Sequence, residues 1–208
     1  MLAYRLTCVR TDAREQCAQF GTTGDIRSDA VPRHSTSALG RMKRRVTICP
    51  LSRTDCAEFI AAARLSKRLH SPWVSPPLTP QAFLIQLRHK RPPLNHLFLI
   101  RRRDTDAPVG CININEIVRG AFLSGYLGYF AFSGHERQGL MKEGLKMVTR
   151  HAFSILGLHR LEANIQPGNL ASIALVRSCG FILEGFSPRY LKIRGRWKDH
   201  ERWALLAR

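Results

Sequence analysis

From residue 46 onward the chain switches between two hydrophobic rhythms, and the switches fall at residues that start or stop helices. A β-branched run at 46–49 (VTIC) predicts a strand, and Ser52 followed by Asp55 predicts a capping pair at the start of a helix. The apolar positions Ala57, Ile60, Ala61 and Leu65 follow helical spacing and are expected to form its buried face. Thr79 before Pro80 places an N-cap ahead of a proline at the first helical position, launching a helix through about residue 88. Three strands are predicted next, over 97–101, 108–118 and 124–132, separated by polar turns at 104–108 and 119–121. After Gly139 the positions Met141, Leu145, Val148, Ala152 and Ile155 recur at steps of four and three, the core face of a helix. A strand over 159–165, a short helix over 169–179 closed by Gly180, and strands over 181–186 and 199–206 complete the pattern. The order β-α-α-β-β-β-α-β-α-β-β predicts an α/β (α+β) domain, a mixed sheet flanked by helices.

Residues 1–41 hold neither rhythm for longer than a turn, so they are expected to be a poorly ordered basic extension preceding a folded domain at 42–208. Met42 stands just ahead of the first strand and is an alternative point at which translation could begin. No apolar run reaches the roughly 20 residues of a membrane helix, and the first residues lack a secretory leader. A cytoplasmic location without membrane contact is therefore expected. The six cysteines, at 8, 17, 49, 56, 111 and 179, form no C-x-x-C pair and have no histidine at zinc spacing, so reduced cysteines and no metal are expected.

The formal net charge of +18 points to polyanionic partners: a ribosome, RNA, or a phosphate-rich cofactor. Seven cations lie between 189 and 208 against Asp199 and Glu201 alone, although a solvated basic face explains such a run equally well.

The candidate chemistry centres on residues 129–141. A β-type run, Tyr129 to Phe132, enters the polar turn 133–139 (SGHERQG), which opens a helix at Leu140 and Met141. Such a turn leaves backbone N–H groups unpaired at the positive end of a helix dipole, where an anion is stabilised. Gly139 would admit a phosphate closely, and Arg137 would add charge. Asn169, with Ser172 three residues on, reads as an N-cap of the next helix.

These residues resemble the GNAT acyltransferase pattern, in which an Arg/Gln-x-x-Gly-x-Gly/Ala turn after the central strand binds acetyl-CoA pyrophosphate. The stretch from Gln138 to Leu145 (QGLMKEGL) is similar to the RimJ/RimL branch, the ribosomal-protein N-terminal acetyltransferases. So are Asn113, the runs 117–122 and 126–129, Asn164, Asn169 with Ser172, and the stretch from Tyr190 to His200. The resemblance covers about 45–206 and implies a mostly antiparallel GNAT sheet. It implies that acetyl-CoA binds to Phe130, Ala131 and Phe132 through its pantetheine arm, to Arg137, Gln138, Gly139, Leu140 and Met141 through its pyrophosphate, and near Asn164 and Asn169. Glu136 departs from the pattern, since a cation or amide is usual there. Val176 stands where many relatives have a tyrosine, which leaves Ser172 or water to protonate the departing sulfur.

Glu116 is the candidate base, with Glu162 and Glu184 as further acids; Asn113 is a candidate positioner of substrate or water. Trp73 and Tyr190, together with Phe122 and Trp197, are candidates for the acceptor side. The implied reaction is direct attack of an amine on acetyl-CoA, the acceptor being a ribosomal protein with an N-terminal alanine or serine, and the enzyme a monomer or homodimer. A small-molecule amine as acceptor, and a non-catalytic module bound to ribosome or RNA, are the alternatives.

Overall fold

The computed structural model describes residues 44–208, and the extension expected over 1–41 lies outside the described residues. Seven strands form one sheet in the order β1-β2-β3-β4-β5-β7-β6: β1 (Val46–Pro50), β2 (His96–Arg102), β3 (Pro108–Val118), β4 (Ser124–Ala131), β5 (Arg160–Ile165), β6 (Ile182–Ile193) and β7 (Arg196–Leu206). Every neighbouring pair is antiparallel except β4 and β5, which run parallel. Helices α1 (Cys56–Leu65), the short α2 (Lys67–His70) and α3 (Pro80–His89) lie between β1 and β2 in sequence, α4 (Leu140–Ser154) between β4 and β5, and α5 (Leu170–Ser178) between β5 and β6. This is the mixed sheet flanked by helices that the sequence pattern predicts, and it is mostly antiparallel, as the family resemblance implies.

Each central strand is buried on both faces, which is why β2 reads as an unbroken apolar run. Phe98 and Ile100 join the core under α4 with Ile112, Leu145, Val148 and Trp203. Leu97 and Leu99 face the other way, onto Phe59, Phe83, Cys111 and Phe132. That second core is organised by rings: Phe59 meets Phe83 at 5.0 Å and Phe132 edge-on at 5.6 Å between centroids.

The rings correct the expected face of α1. Phe59, Ile60 and Ala63 are the buried positions, whereas Ala57 and Ala61 are exposed and Leu65 is 81% exposed. A phenyl group removes far more apolar surface from water than alanines do, so the helix turns Phe59 inward. Its start keeps the expected cap: Asp55 accepts from the Ser52 backbone N–H at 2.8 Å, with one 3-10 turn (Arg53–Asp55) between Ser52 and α1. Thr79 likewise accepts from Ala82 N–H at 3.2 Å at the head of α3. In α4, Leu145, Val148 and Ala152 are buried and Met141 half-buried, but Ile155 lies beyond the last turn and is exposed.

β6 and β7 are longer than the expected 181–186 and 199–206, running to a two-residue turn at Arg194 and Gly195, both at positive φ. Most of the added residues are exposed, and Arg189, Lys192, Arg196 and Lys198 interrupt the apolar ones, so no regular alternation of apolar and polar positions marks them. Backbone pairing extends the hairpin regardless, and Pro188 is tolerated because β6 is an edge strand.

Gly110 on β3 sits where a side chain has no room. A Cβ there would press on the Phe130 carbonyl oxygen and lie 2.6 Å from Met141 Sδ. Gly110→Ala is expected to destabilise the fold by about 1–3 kcal/mol, read as a lower urea midpoint with unchanged slope; an unchanged midpoint would show that the contact between β3, β4 and α4 is not close.

Candidate active site

The parallel pairing of β4 with β5 is cut short. It runs from Ser124↔Arg160 to Leu127↔Ala163 and stops there, although β4 continues to Ala131 and β5 to Ile165. Beyond Leu127 the two strands diverge, and a cleft of about 590 Å³ occupies the gap. Because side chains alternate along a strand, the cleft is walled from both faces of the sheet. On the side of α4 and α5 stand Leu127, Tyr129, Asn169 and Ser172; on the side of α3 stand Lys90, Asn115, Tyr126 and Glu116.

The turn leading into α4 lies past the end of β4. Gly139 is its N-cap residue, at φ 74, a left-handed conformation that glycine adopts without steric cost. Gln138 Nε2 donates to the Gly134 carbonyl at 3.0 Å, fixing the loop from within. The carboxylate of Glu136 is turned back onto the loop, accepting from Gly134 N–H at 2.7 Å. Bonds from its own N–H and those of Gly134 and His135 hold this carboxyl below the ordinary glutamate range. A second cation stands beside the turn. Arg45 Nη2 is 3.4 Å from where a Gly139 Cβ would be, and its Nε donates to Glu143 Oε1 at 2.6 Å. Nothing in the sequence links residue 45 to 139; only the sheet brings them together.

Ser172 lies on the first turn of α5, its backbone N–H bonded to Asn169 Oδ1 at 3.2 Å, the expected N-cap. Tyr129 donates its hydroxyl to the Ser172 carbonyl at 3.4 Å, and burial pushes that hydroxyl's pKa up, so it stays protonated. Asn164 projects from β5 into the cleft, with its Oδ1 buried and unpartnered among the described residues.

Glu116 sits where the β3–β4 register shifts, at φ 51, with its N–H bonded to Asn95 Oδ1 at 3.2 Å. This irregularity swings its exposed carboxylate to the cleft mouth. Glu162 and Glu184 are both taken up by Arg160, whose Nε donates to Glu162 Oε1 at 2.7 Å and whose terminal nitrogens bind Glu184. Trp73 and Tyr190 line the cleft, and the Trp73 ring packs 3.2 Å from the Cβ position of Gly168. Phe122 and Trp197 do not line it; both are at least half exposed, while Trp203 is core. Asn113 is also outside the walls, buried in β3 with the Cys111 thiol donating to its Oδ1 at 3.3 Å. Burial pushes the Cys111 thiol up to about 12, so it is inert. Among the described residues no group of three or more His, Cys, Asp or Glu could hold a metal ion, and no helix is long and apolar enough to cross a membrane.

The profile of the Acetyltransferase (GNAT) domain matches residues 45–182. The chain belongs to the GNAT acetyltransferase family. It is 38% identical over 97 residues to the [Ribosomal protein uS5]-alanine N-acetyltransferase of Escherichia coli (strain K12), covering 47% of this chain and 50% of that protein. The chain thus spans about half the length of that relative. To the spermidine N(1)-acetyltransferase of Vibrio cholerae it is 24% identical over 169 residues, 79% of this chain and 95% of that protein. Among solved structures, Mycobacterium smegmatis RimJ in complex with CoA-disulfide superposes with a TM-score of 0.69 at 26% identity, covering 78% of this chain and 82% of that one.

Residues of this GNAT domain fit a coenzyme A ester. The turn at 137–141 offers backbone N–H groups and Arg137 to a pyrophosphate, with Arg45, ion-paired to Glu143, standing beside it. The unpaired stretch of β4 beyond Leu127 offers main-chain groups to an amide-rich arm, as does the orphaned Asn164 Oδ1. Phe132 offers only its carbonyl, because its ring is buried in the aromatic core and its N–H donates to the Val109 carbonyl at 2.7 Å. One main-chain acceptor is already engaged: His70 Nε2 donates to the Ala131 carbonyl at 2.8 Å.

Burial lowers the pKa of His70, His96, His151 and His200. In the unfolded chain each takes a proton near pH 6.5, whereas the folded chain resists it. Below about 6.5 the unfolded state therefore binds more protons, and stability falls until the pH passes the depressed folded values. The melting temperature is expected to drop between pH 7.5 and 5.5, at roughly 2–4 °C per kcal/mol lost. His70→Gln, which keeps a donor to Ala131, should shrink that drop; an equal drop in both proteins would rule out His70 as a contributor.

Proposed function

We propose that this protein is an acetyl-CoA-dependent N-acetyltransferase whose acceptor is the N-terminal amine of a protein, an alanine or serine terminus of a ribosomal protein. The observation that carries the reading is the splayed β4–β5 pair, with an anion-binding turn past the end of β4 and a hydroxyl, Ser172, on the cleft wall. The turn at Arg137, Gln138, Gly139, Leu140 and Met141 takes the pyrophosphate; Phe130, Ala131, Phe132, Asn164 and Asn169 take the pantetheine arm. The amine attacks the thioester carbon directly, so catalysis consists of positioning, proton removal and protonation of the departing sulfur. Ser172 supplies that last proton. Glu116 at the cleft mouth receives the incoming ammonium, with Trp73 and Tyr190 as walls of the acceptor side. Asn113 acts from behind the wall, shaping β3 rather than touching substrate.

Charge favours a protein acceptor over a polyamine. Arg189, Lys192, Arg194, Arg196 and Lys198 are all exposed on the β6–β7 hairpin, whose residues Tyr190, Leu191 and Ile193 form one wall of the cleft. A rim of that sign repels a polycation and attracts a polyanion such as a ribosomal particle. The likeness to the spermidine enzyme over 79% of the chain supports the second reading, a small polyamine acceptor.

Isothermal titration with acetyl-CoA is expected to show saturable binding, and Arg137→Ala to weaken it about tenfold, roughly 1.4 kcal/mol. Ser172→Ala should lower kcat about 100-fold or more without changing acetyl-CoA affinity; equal kcat would reject the proton-donor role. In a competition between peptides beginning with alanine or serine and spermidine, mass spectrometry should find acetyl on the peptides, and a preference for spermidine would overturn the acceptor assignment.

A further inference from the structure

We propose that the imidazole of His200 is the proton acceptor for the incoming amine, a role that rests on the acetyl-transfer reading above. His200 lies on β7 opposite Ser187 of β6, just beyond the last β5–β7 pair, Ile165↔Glu201. It is only 2% exposed, yet it lines the same cleft as Ser172 and Asn164. Its Nδ1 is 2.9 Å from the Lys198 carbonyl oxygen. A carbonyl oxygen can only accept, so Nδ1 carries the hydrogen and Nε2 keeps the lone pair. The Tyr190 ring, also on the cleft wall, packs tilted beside it at 6.2 Å between centroids.

The competing bases are worse placed. Glu162 is held by Arg160, and Glu116 is at the solvent-facing mouth, where a carboxylate serves to attract an ammonium group rather than to neutralise it. A carboxylate is in general also a weaker base toward an amine than an imidazole. Burial lowers the His200 pKa further, which keeps it neutral at pH 7. The groups around it that titrate or carry charge are Glu116 from β3, Lys90 from α3, Tyr126 from β4, Tyr190 from β6 and Asp199 on β7 itself. From β5 comes Asn164, from the residue just past it Gln166, and from α5 Ser172, none of which titrates near neutrality.

The proton balance is simple. An ammonium loses two protons in becoming an amide: His200 Nε2 takes the first and releases it to water, and the departing sulfur takes the second. The nitrogen–carbon bond forms as the carbon–sulfur bond breaks.

His200→Asn retains an N–H for the Lys198 carbonyl and removes the base. With a peptide beginning in alanine, its kcat/KM should fall about 100-fold or more, the acidic limb of the pH profile should flatten, and added imidazole should restore part of the rate. Acetyl-CoA affinity by calorimetry should stay within twofold. A change in kcat/KM under threefold with the acidic limb intact overturns the proposal. His200→Gln serves if the asparagine variant does not fold by circular dichroism. Independently of turnover, long-range ¹H–¹⁵N NMR of the unsubstituted protein should show the neutral Nδ1–H form of His200 at pH 7.5; an Nε2–H or charged ring overturns the assignment. If the unsubstituted protein binds acetyl-CoA to no extent, the acetyl-transfer reading fails instead, and the NMR result still decides whether His200 is a free base.

Discussion

The site depends on a hydrogen-bonded ladder that is begun and not finished. Four residue pairs join β4 to β5, from Ser124↔Arg160 to Leu127↔Ala163, and the strands then part. Had the pairing continued, the backbone groups of β4 would be satisfied by β5 and the cleft would be closed. An unfinished ladder leaves main-chain donors and acceptors facing a cavity, which costs stability unless a ligand or water satisfies them. The surrounding structure holds the divergence in place. Phe130 and Phe132 anchor the far end of β4 in the ring cluster around Phe59, while the Tyr129 hydroxyl ties the same strand to α5 through the Ser172 carbonyl. On its other edge β5 is bound to β7 along its whole length, through to Asn164↔Arg202 and Ile165↔Glu201.

The far rim is held by a different kind of contact. Arg194, at the tip of the β6–β7 hairpin, donates to Ser75 Oγ at 3.0 Å, Ser71 Oγ at 3.3 Å and the Val74 carbonyl at 3.4 Å. This one guanidinium fastens the hairpin to the loop that carries Trp73. Neutral hydroxyls and a carbonyl satisfy it, so the positive charge at the rim is retained rather than cancelled.

Much of this frame was legible in the sequence because it rests on local chemistry. The caps at Thr79, Asn169 and Gly139 lie beside the residues they serve, and the turn before α4 was recognisable by its glycine and its place after a β-type run. Errors arose where distant partners decide. The buried face of α1 is set by rings on β4 and α3, so a helical count that favoured Ala57 and Leu65 missed Phe59 and Ala63. The outer half of the β6–β7 hairpin is exposed and carries no apolar alternation to read. Arg45, Lys90, Tyr126 and His200 reach the site from widely separated segments, and a lone residue of such a type carries no local signal of where it will point.

The cleft is walled from both faces of the sheet, with Ser172 and Tyr129 on one side of the gap and Lys90, Glu116 and Tyr126 on the other. Two reactants that come to a slit from opposite sides do not stand in each other's way. Neither has to leave before the other arrives, and no covalent carrier on the protein is needed to remember the first while the second is awaited. Under the proposed acetyl transfer, a slit of this kind has room for both reactants at once, and the sheet itself is the partition across which a group is handed.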